Sequence, residues 1–194
     1  MQSGDTHLWS GFEISHKLNR RMNVELAQQT RIGDNIKSIN TIFIEGSFRY
    51  SPVKYIDIKP QIRFNLNNNN RNQFRYAIDF KFKKAFKKSN IEIYSRVKLQ
   101  FLSTIYTGEL QTFFRVSTGF EWKLNKQLRL GAEYELFYRL NDKNEVRNHR
   151  ITGIVEIRLN NKADLNLFYT LDNKVNVKNP GHRNIIGCVF KFQI

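Results

Sequence analysis

The sequence holds a single cysteine, three prolines and two methionines in 194 residues. One thiol excludes a disulfide framework and any Cys-cluster metal site. No apolar run approaches the ~20 residues that a membrane helix needs; the longest, Ile185 to Phe190, is interrupted by Gly187. Met1-Gln2-Ser3-Gly4-Asp5 contains no apolar leader core, so the expectation is either a cytosolic protein or a mature chain bearing a start methionine. Acidic residues are scarce too, 17 against 32 Lys and Arg, which leaves a net charge of +15. With 16 Phe and 8 Tyr the chain is too aromatic for a disordered basic tail.

What the sequence does have is alternation. From Ile56 to Leu66 every even position except Pro60 is apolar and every odd one polar; Phe74 to Phe82 and Leu128 to Leu136 follow much the same pattern. Period two means strands with one wet and one apolar face, and no stretch has a convincing helical period. Eleven strands are predicted, at 7–18, 22–32, 39–50, 55–66, 72–83, 90–103, 110–124, 127–139, 148–159, 163–172 and 183–194. Tight turns (Asn19-Arg20-Arg21, Ser51-Pro52-Val53, 84–89, Asn125-Lys126, Asn160-Asn161-Lys162) alternate with looser loops at 33–38, 67–71, 104–109, 140–147 and 173–182. This pattern predicts one domain over 1–194, an all-β, closed, up-and-down antiparallel barrel, with residues 1–6 as a flexible tail. Bacterial single-chain barrels have even strand numbers, so the expected count is ten to twelve.

Charge decides which face is inside. The polar phase of the strands carries eleven acids (Glu13, Glu25, Glu45, Asp57, Asp79, Glu92, Glu121, Glu133, Glu135, Glu156, Asp164). It also carries seventeen bases (Lys17, Arg31, Arg49, Lys59, Arg63, Arg75, Lys81, Lys83, Arg96, Lys98, Arg115, Lys123, Arg129, Arg139, Arg150, Arg158, Lys191). The apolar phase carries none within a strand body. A closed sheet of about eleven strands is wider than side chains alone fill, and no plug or central helix is visible. The expectation is therefore a transmembrane barrel with a charged lumen and a lipid-facing exterior, where a midplane charge costs about 2–4 kcal/mol. Apolar-phase aromatics fall in two belts. Phe48, Tyr50, Phe80, Phe82, Trp122, Phe190 and Phe192 lie near the short turns; Phe64, Phe74, Tyr76 and Tyr138 lie near the long loops.

Leu8-Trp9-Ser10-Gly11, Lys17-Leu18-Asn19-Arg20, Leu136-Phe137-Tyr138-Arg139, and Asn184-Ile185-Ile186-Gly187 through Phe190-Lys191-Phe192 resemble a Bacteroidota outer-membrane β-barrel family of unknown function. The resemblance implies a barrel in the cell outer membrane, in contact with lipopolysaccharide and phospholipid, and transfers no catalytic residue.

Sixteen charged residues are candidates for lining the lumen: Glu45, Arg49, Asp57, Arg63, Arg75, Asp79, Glu92, Arg96, Arg115, Glu121, Arg129, Glu133, Glu135, Arg139, Glu156 and Arg158. Glu133 and Glu135 are expected near Arg129 and Arg139, with Glu121 and Arg115 on the adjacent strand. Trp9, Phe43, Phe113, Phe137 and Phe168 share the inward phase and add bulk. A basic rim of Arg20, Arg21, Lys54, Lys84, Lys87, Lys88, Lys126 and Lys162 marks the short-turn side, which faces the periplasm in such barrels. The long-loop rim and tail nearly balance, with Lys37, Arg71, Lys143, Arg147, Lys174, Lys178 and Arg183 against Asp5, Asp34, Glu109, Asp142, Glu145 and Asp172.

Nucleic-acid binding would need bases clustered with exposed aromatics; here they interleave with acids. His7, His16, His149 and His182 have neither metal spacing nor a nucleophile setting, and no cofactor loop is present. The preferred expectation is a structural or scaffolding barrel with a lumen largely closed by charge, a subunit of a larger outer-membrane complex and not an enzyme. The alternative is a narrow diffusion channel with weak anion preference, and the third a lipid-modifying membrane enzyme.

Overall fold

The computed structural model describes residues 4–69, 71–141, 144–176 and 181–194. Eleven strands form one closed barrel: β1 (Asp5–Lys17), β2 (Met22–Gly33), β3 (Ser38–Val53), β4 (Ile56–Asn67), β5 (Gln73–Phe86), β6 (Ile91–Thr104), β7 (Leu110–Lys123), β8 (Leu128–Arg139), β9 (Glu145–Arg158), β10 (Ala163–Lys174) and β11 (Gly181–Gln193). Sequential neighbours pair antiparallel, as in a meander. The closure differs from the expected all-antiparallel wall: β1 and β11 run parallel, with Asp5 opposite Arg183, Trp9 opposite Gly187 and Glu13 opposite Lys191. Geometry requires this. In a meander of odd count the first and last strands point the same way, so eleven strands can close only through one parallel seam. Asp5 and Thr6, expected in the tail, belong to β1 and pair with Arg183 and Asn184.

Connections hold two to four residues at one rim and four to six at the other. Asparagine builds three of the tight turns. Asn19, Asn125 and Asn160 each accept a hydrogen bond at Oδ1 from a backbone N–H two residues on, at 2.8 Å, the Asx geometry that substitutes for a backbone turn. Bulges at Arg31/Ile32, Tyr50/Val53 and Phe137/Tyr138 shift the register locally.

The wall is apolar outside and polar inside. Leu26, Ile44, Ile62, Ile151 and Ile186 stand about half exposed on the outer face, at 49–53%. Asp57, Asp79 and Glu135 are 4–6% exposed on the inner face. Two inward glycines make room for inward rings. A Cβ on Gly187 would lie 1.9 Å from the Phe168 ring, and one on Gly119 would lie 2.8 Å from the Tyr94 ring. Both rings can therefore lie flat across a neighbouring strand. Among the described residues no helix crosses the lumen or is long and apolar enough to span a membrane.

Candidate functional site: the lumen

Most inward carboxylates gather cations from neighbouring strands. Glu25 on β2 contacts Arg49 and Lys59. Glu45 on β3 accepts from Arg63 Nε at 2.8 Å and contacts Arg75. Asp57 accepts from Lys83 Nζ and Ser51 Oγ, both at 2.6 Å. Asp79 meets Lys98 at 3.0 Å and accepts from Gln61 at 2.8 Å. Glu92 and Glu121 share Lys81 at 3.8 and 3.7 Å. Arg96 bridges Glu133 and Glu135 at 3.0 and 3.2 Å, and Arg115 binds Glu135 at 2.8 Å. Near the short turns, Glu156 holds Arg129 and Lys191, each at 2.9 Å, and Arg158 approaches Asp164 at 3.5 Å. Arg139 opposes Phe113 and Glu145 in the strand register.

Around Glu133 and Glu135, Arg115 on the adjacent strand pairs with Glu135 as expected, while Arg96, two strands away, and Tyr94, which donates to Glu133 Oε2 at 2.9 Å, are further partners. Arg129, expected beside them, turns instead to Glu156 across the β8–β9 pair. Asp172 and Arg183, assigned to the long-loop rim, are interior groups. Asp172 is wholly buried and contacts Arg183, Arg150 at 3.1 Å and Asn148 at 2.6 Å. Asp172 and Arg183 both stand at the tips of predicted strands; β10 and β11 each run two residues further, to Lys174 and from Gly181, so the pair lies within the wall on the inward phase.

Of the basic rim, Arg20, Arg21, Lys54, Lys87, Lys88, Lys126 and Lys162 lie in the short connections. Lys84 does not: β5 runs on to Phe86, so Lys84 sits on a strand, opposite Ile93 on the outer face. Asp142, Lys143 and Lys178 lie outside the described residues. Of the histidines, His7 is buried beside Asp5 at 2.7 Å, His149 packs on Tyr134, and His16 Nδ1 lies 3.1 Å from the Ile194 carbonyl.

One arrangement was not foreseen. Four guanidinium groups and three rings alternate around the wall, one from each of seven strands. Arg115 (β7) lies 4.2 Å from Phe137 (β8), which lies 4.4 Å from Arg150 (β9). Arg150 approaches Trp9 (β1) at 5.8 Å, and Arg31 (β2) covers the other part of that ring at 3.8 Å. Phe43 (β3) then sits between Arg31 at 4.9 Å and Arg63 (β4) at 3.4 Å. Guanidinium is weakly hydrated and stacks on aromatic faces, so the rings separate like charges that would otherwise repel. The sequence signal was the shared inward phase of these residues; their common level around the barrel depends on strand stagger.

The lumen is divided rather than filled. A 470 Å³ cavity beneath the long-loop rim is lined by eight cationic side chains and one carboxylate, Glu45. A second, 290 Å³, lies toward β8–β11 and reaches Glu13 and Lys191. Trp9 and Arg150 line both, and Glu135 and Arg115, bonded to each other, lie one on each side.

No curated protein matches the chain. Among solved structures it is similar to one described as "NanC porin structure in rhombohedral crystal form", with 10% identity, a TM-score of 0.56, and coverage of 82% of this chain and 78% of that one. That likeness concerns the fold. Residues 6–182 match the model of a family described as "Protein of unknown function (DUF2490)", and the chain belongs to that family.

Proposed function

We propose that this chain is a small outer-membrane β-barrel whose divided lumen passes small anions. The observation that carries this reading is the eight-to-one excess of cationic over acidic side chains around the larger cavity. Rings of Arg and Lys are the usual means of favouring anions in a pore, and low-dielectric walls strengthen their field. The apolar outer face and its two aromatic belts support membrane insertion, since a closed sheet leaves no unpaired backbone edge toward lipid. In this orientation the basic short-turn rim meets inner-leaflet phosphates. The porin-like fold supports the same location. No step in this reading requires a catalytic residue.

A second reading, a structural barrel within a larger outer-membrane assembly, is favoured by the ion pairs that link neighbouring strands along the inner wall and by the Trp9–Arg150 partition. Recordings in planar lipid bilayers separate the two. Small, stable conductance with a reversal potential displaced toward that of chloride in a KCl gradient supports the channel. Cation preference overturns it, and a silent bilayer containing folded protein leaves the structural reading.

A further inference from the structure

Arg63, Arg75, Arg96, Arg115, Arg150 and Arg183 each contact a carboxylate. Arg31 contacts none among the described residues. Its Nε donates to Gln29 Oε1 at 2.9 Å, and its plane is held against Trp9 and Phe43. Neither Nη finds an acceptor among the described residues. Two rings, at 3.8 and 4.9 Å, hold the guanidinium in place, and Arg31 lines the 470 Å³ cavity. Arg63, Arg75 and Arg150, all cations, line the same cavity. A guanidinium fixed among like charges with no counter-charge of its own is unfavourable until an anion joins it.

We propose that this cavity is a binding site for a polyvalent oxyanion, a phosphoryl group or a cluster of carboxylates, with Arg31 as its anchoring residue. Valence follows from the charge balance: the eight lining cations contact six carboxylates, Glu25, Glu45, Asp79, Glu133, Glu135 and Asp172, which leaves two positive charges, one more than a bound chloride answers. Oxygen chemistry follows from the donors. The guanidinium fork matches the edge of a phosphate or carboxylate. Amide side chains of Gln61, Asn65, Gln73 and Gln100 line the same cavity and suit an oxygen-rich solute. The volume is in the usual range for small-ligand sites, about 300–1,000 Å³. The proposal rests on the reading of the lumen as a place for anions, but it requires no passage of current.

Trp9 provides the readout, because it touches Arg31 and the chain has only one other tryptophan, the outward Trp122. The full chain carrying Trp122→Phe, folded in detergent micelles, is titrated with pyrophosphate, citrate and chloride at matched ionic strength while Trp9 fluorescence is followed. Expected is a saturable change with pyrophosphate or citrate and none with chloride, the tighter of the two assigning phosphoryl or carboxylate chemistry. Adding Arg31→Gln should weaken binding at least tenfold, with Arg31→Lys in between; heat-modifiable migration in gels verifies that each variant is folded. Absence of a saturable change, chloride acting as well as pyrophosphate, or unchanged affinity in folded Arg31→Gln would overturn the site. A barrel that conducts anions without saturable binding sinks this proposal alone, and one that binds pyrophosphate without conducting sinks only the channel.

Discussion

Asp172→Asn isolates the worth of one interior charge. The carboxylate is 0% exposed, accepts from Asn148 at 2.6 Å, and holds both Arg183 and Arg150, the latter at 3.1 Å. Asparagine keeps the shape and can still accept from Asn148, yet it leaves two guanidinium groups without their counter-charge. Breaking a buried pair costs about 3–5 kcal/mol, and the surviving hydrogen bond sets the expectation at the low end, about 3 kcal/mol. Asp164→Asn is the control: its partner Arg158 is 3.5 Å away, and the two side chains are 32% and 42% exposed, so about 0–1 kcal/mol is at stake. Urea unfolding in lipid vesicles reads both. With a slope of about 1–3 kcal/mol/M, Asp172→Asn should lower the midpoint by about 1–3 M, and Asp164→Asn should move it much less. In a conducting barrel the same substitution should shift the reversal potential further toward anions. Equal midpoints for the two variants would refute the claim that interior pairing, rather than pairing in general, supports this barrel.

On the outer face, Ile151→Arg should destabilise the inserted barrel by about 2–4 kcal/mol, whereas Phe192→Arg, beside the short-turn rim, should cost about 0–1 kcal/mol; vesicle unfolding midpoints measure the depth dependence. Gly187→Ala places a methyl 1.9 Å from the Phe168 ring, so a loss of about 1–3 kcal/mol is expected, recovered in part when Phe168→Leu is added. Screening should act on the lumen as well. The Debye length falls from about 10 Å at 0.1 M to about 3 Å at 1 M salt, so anion preference in bilayer recordings should decline over that range.

The fold was legible because a barrel wall has only two faces and the sequence sorts charge between them, with Lys84 near the end of β5 as an outward exception. Strand ends were off by up to three residues, as at β9, where pairing of Arg139 with Glu145 extends the strand beyond its turn-like composition. Closure through a parallel seam follows from an odd count, but composition does not reveal the count itself. Ion-pair partners were less legible than ion-pair members. Alternation says that Glu133 and Glu135 face inward; it does not say which cations stand beside them, because that depends on the stagger of neighbouring strands. Asp172 ends the predicted tenth strand and was grouped with the long-loop rim, whereas β10 runs on to Lys174 and keeps it inside the barrel. Stagger also hides the alternation of rings with guanidinium groups, although every member lies on the inner phase.

Arginine, rather than lysine, occupies each ring-facing place in that arc, and the geometry explains the choice. Arg63 lies 3.4 Å from the Phe43 centroid while its Nε donates to Glu45 at 2.8 Å; Arg115 lies 4.2 Å from Phe137 while Nη2 donates to Glu135 at 2.8 Å. Only a planar cation can present a face to a ring and an edge to a carboxylate at once. Lys81, over the Tyr94 ring at 4.0 Å, meets its carboxylates only at 3.7 and 3.8 Å, and Lys98, held by Asp79 and Gln61, stands outside the arc. Stacking lets the barrel hold more cations than carboxylates at one level without losing its packing. The net positive field then follows from how the wall is built, and Arg31, stacked on both sides with no acid beside it, is where that construction leaves a charge unanswered.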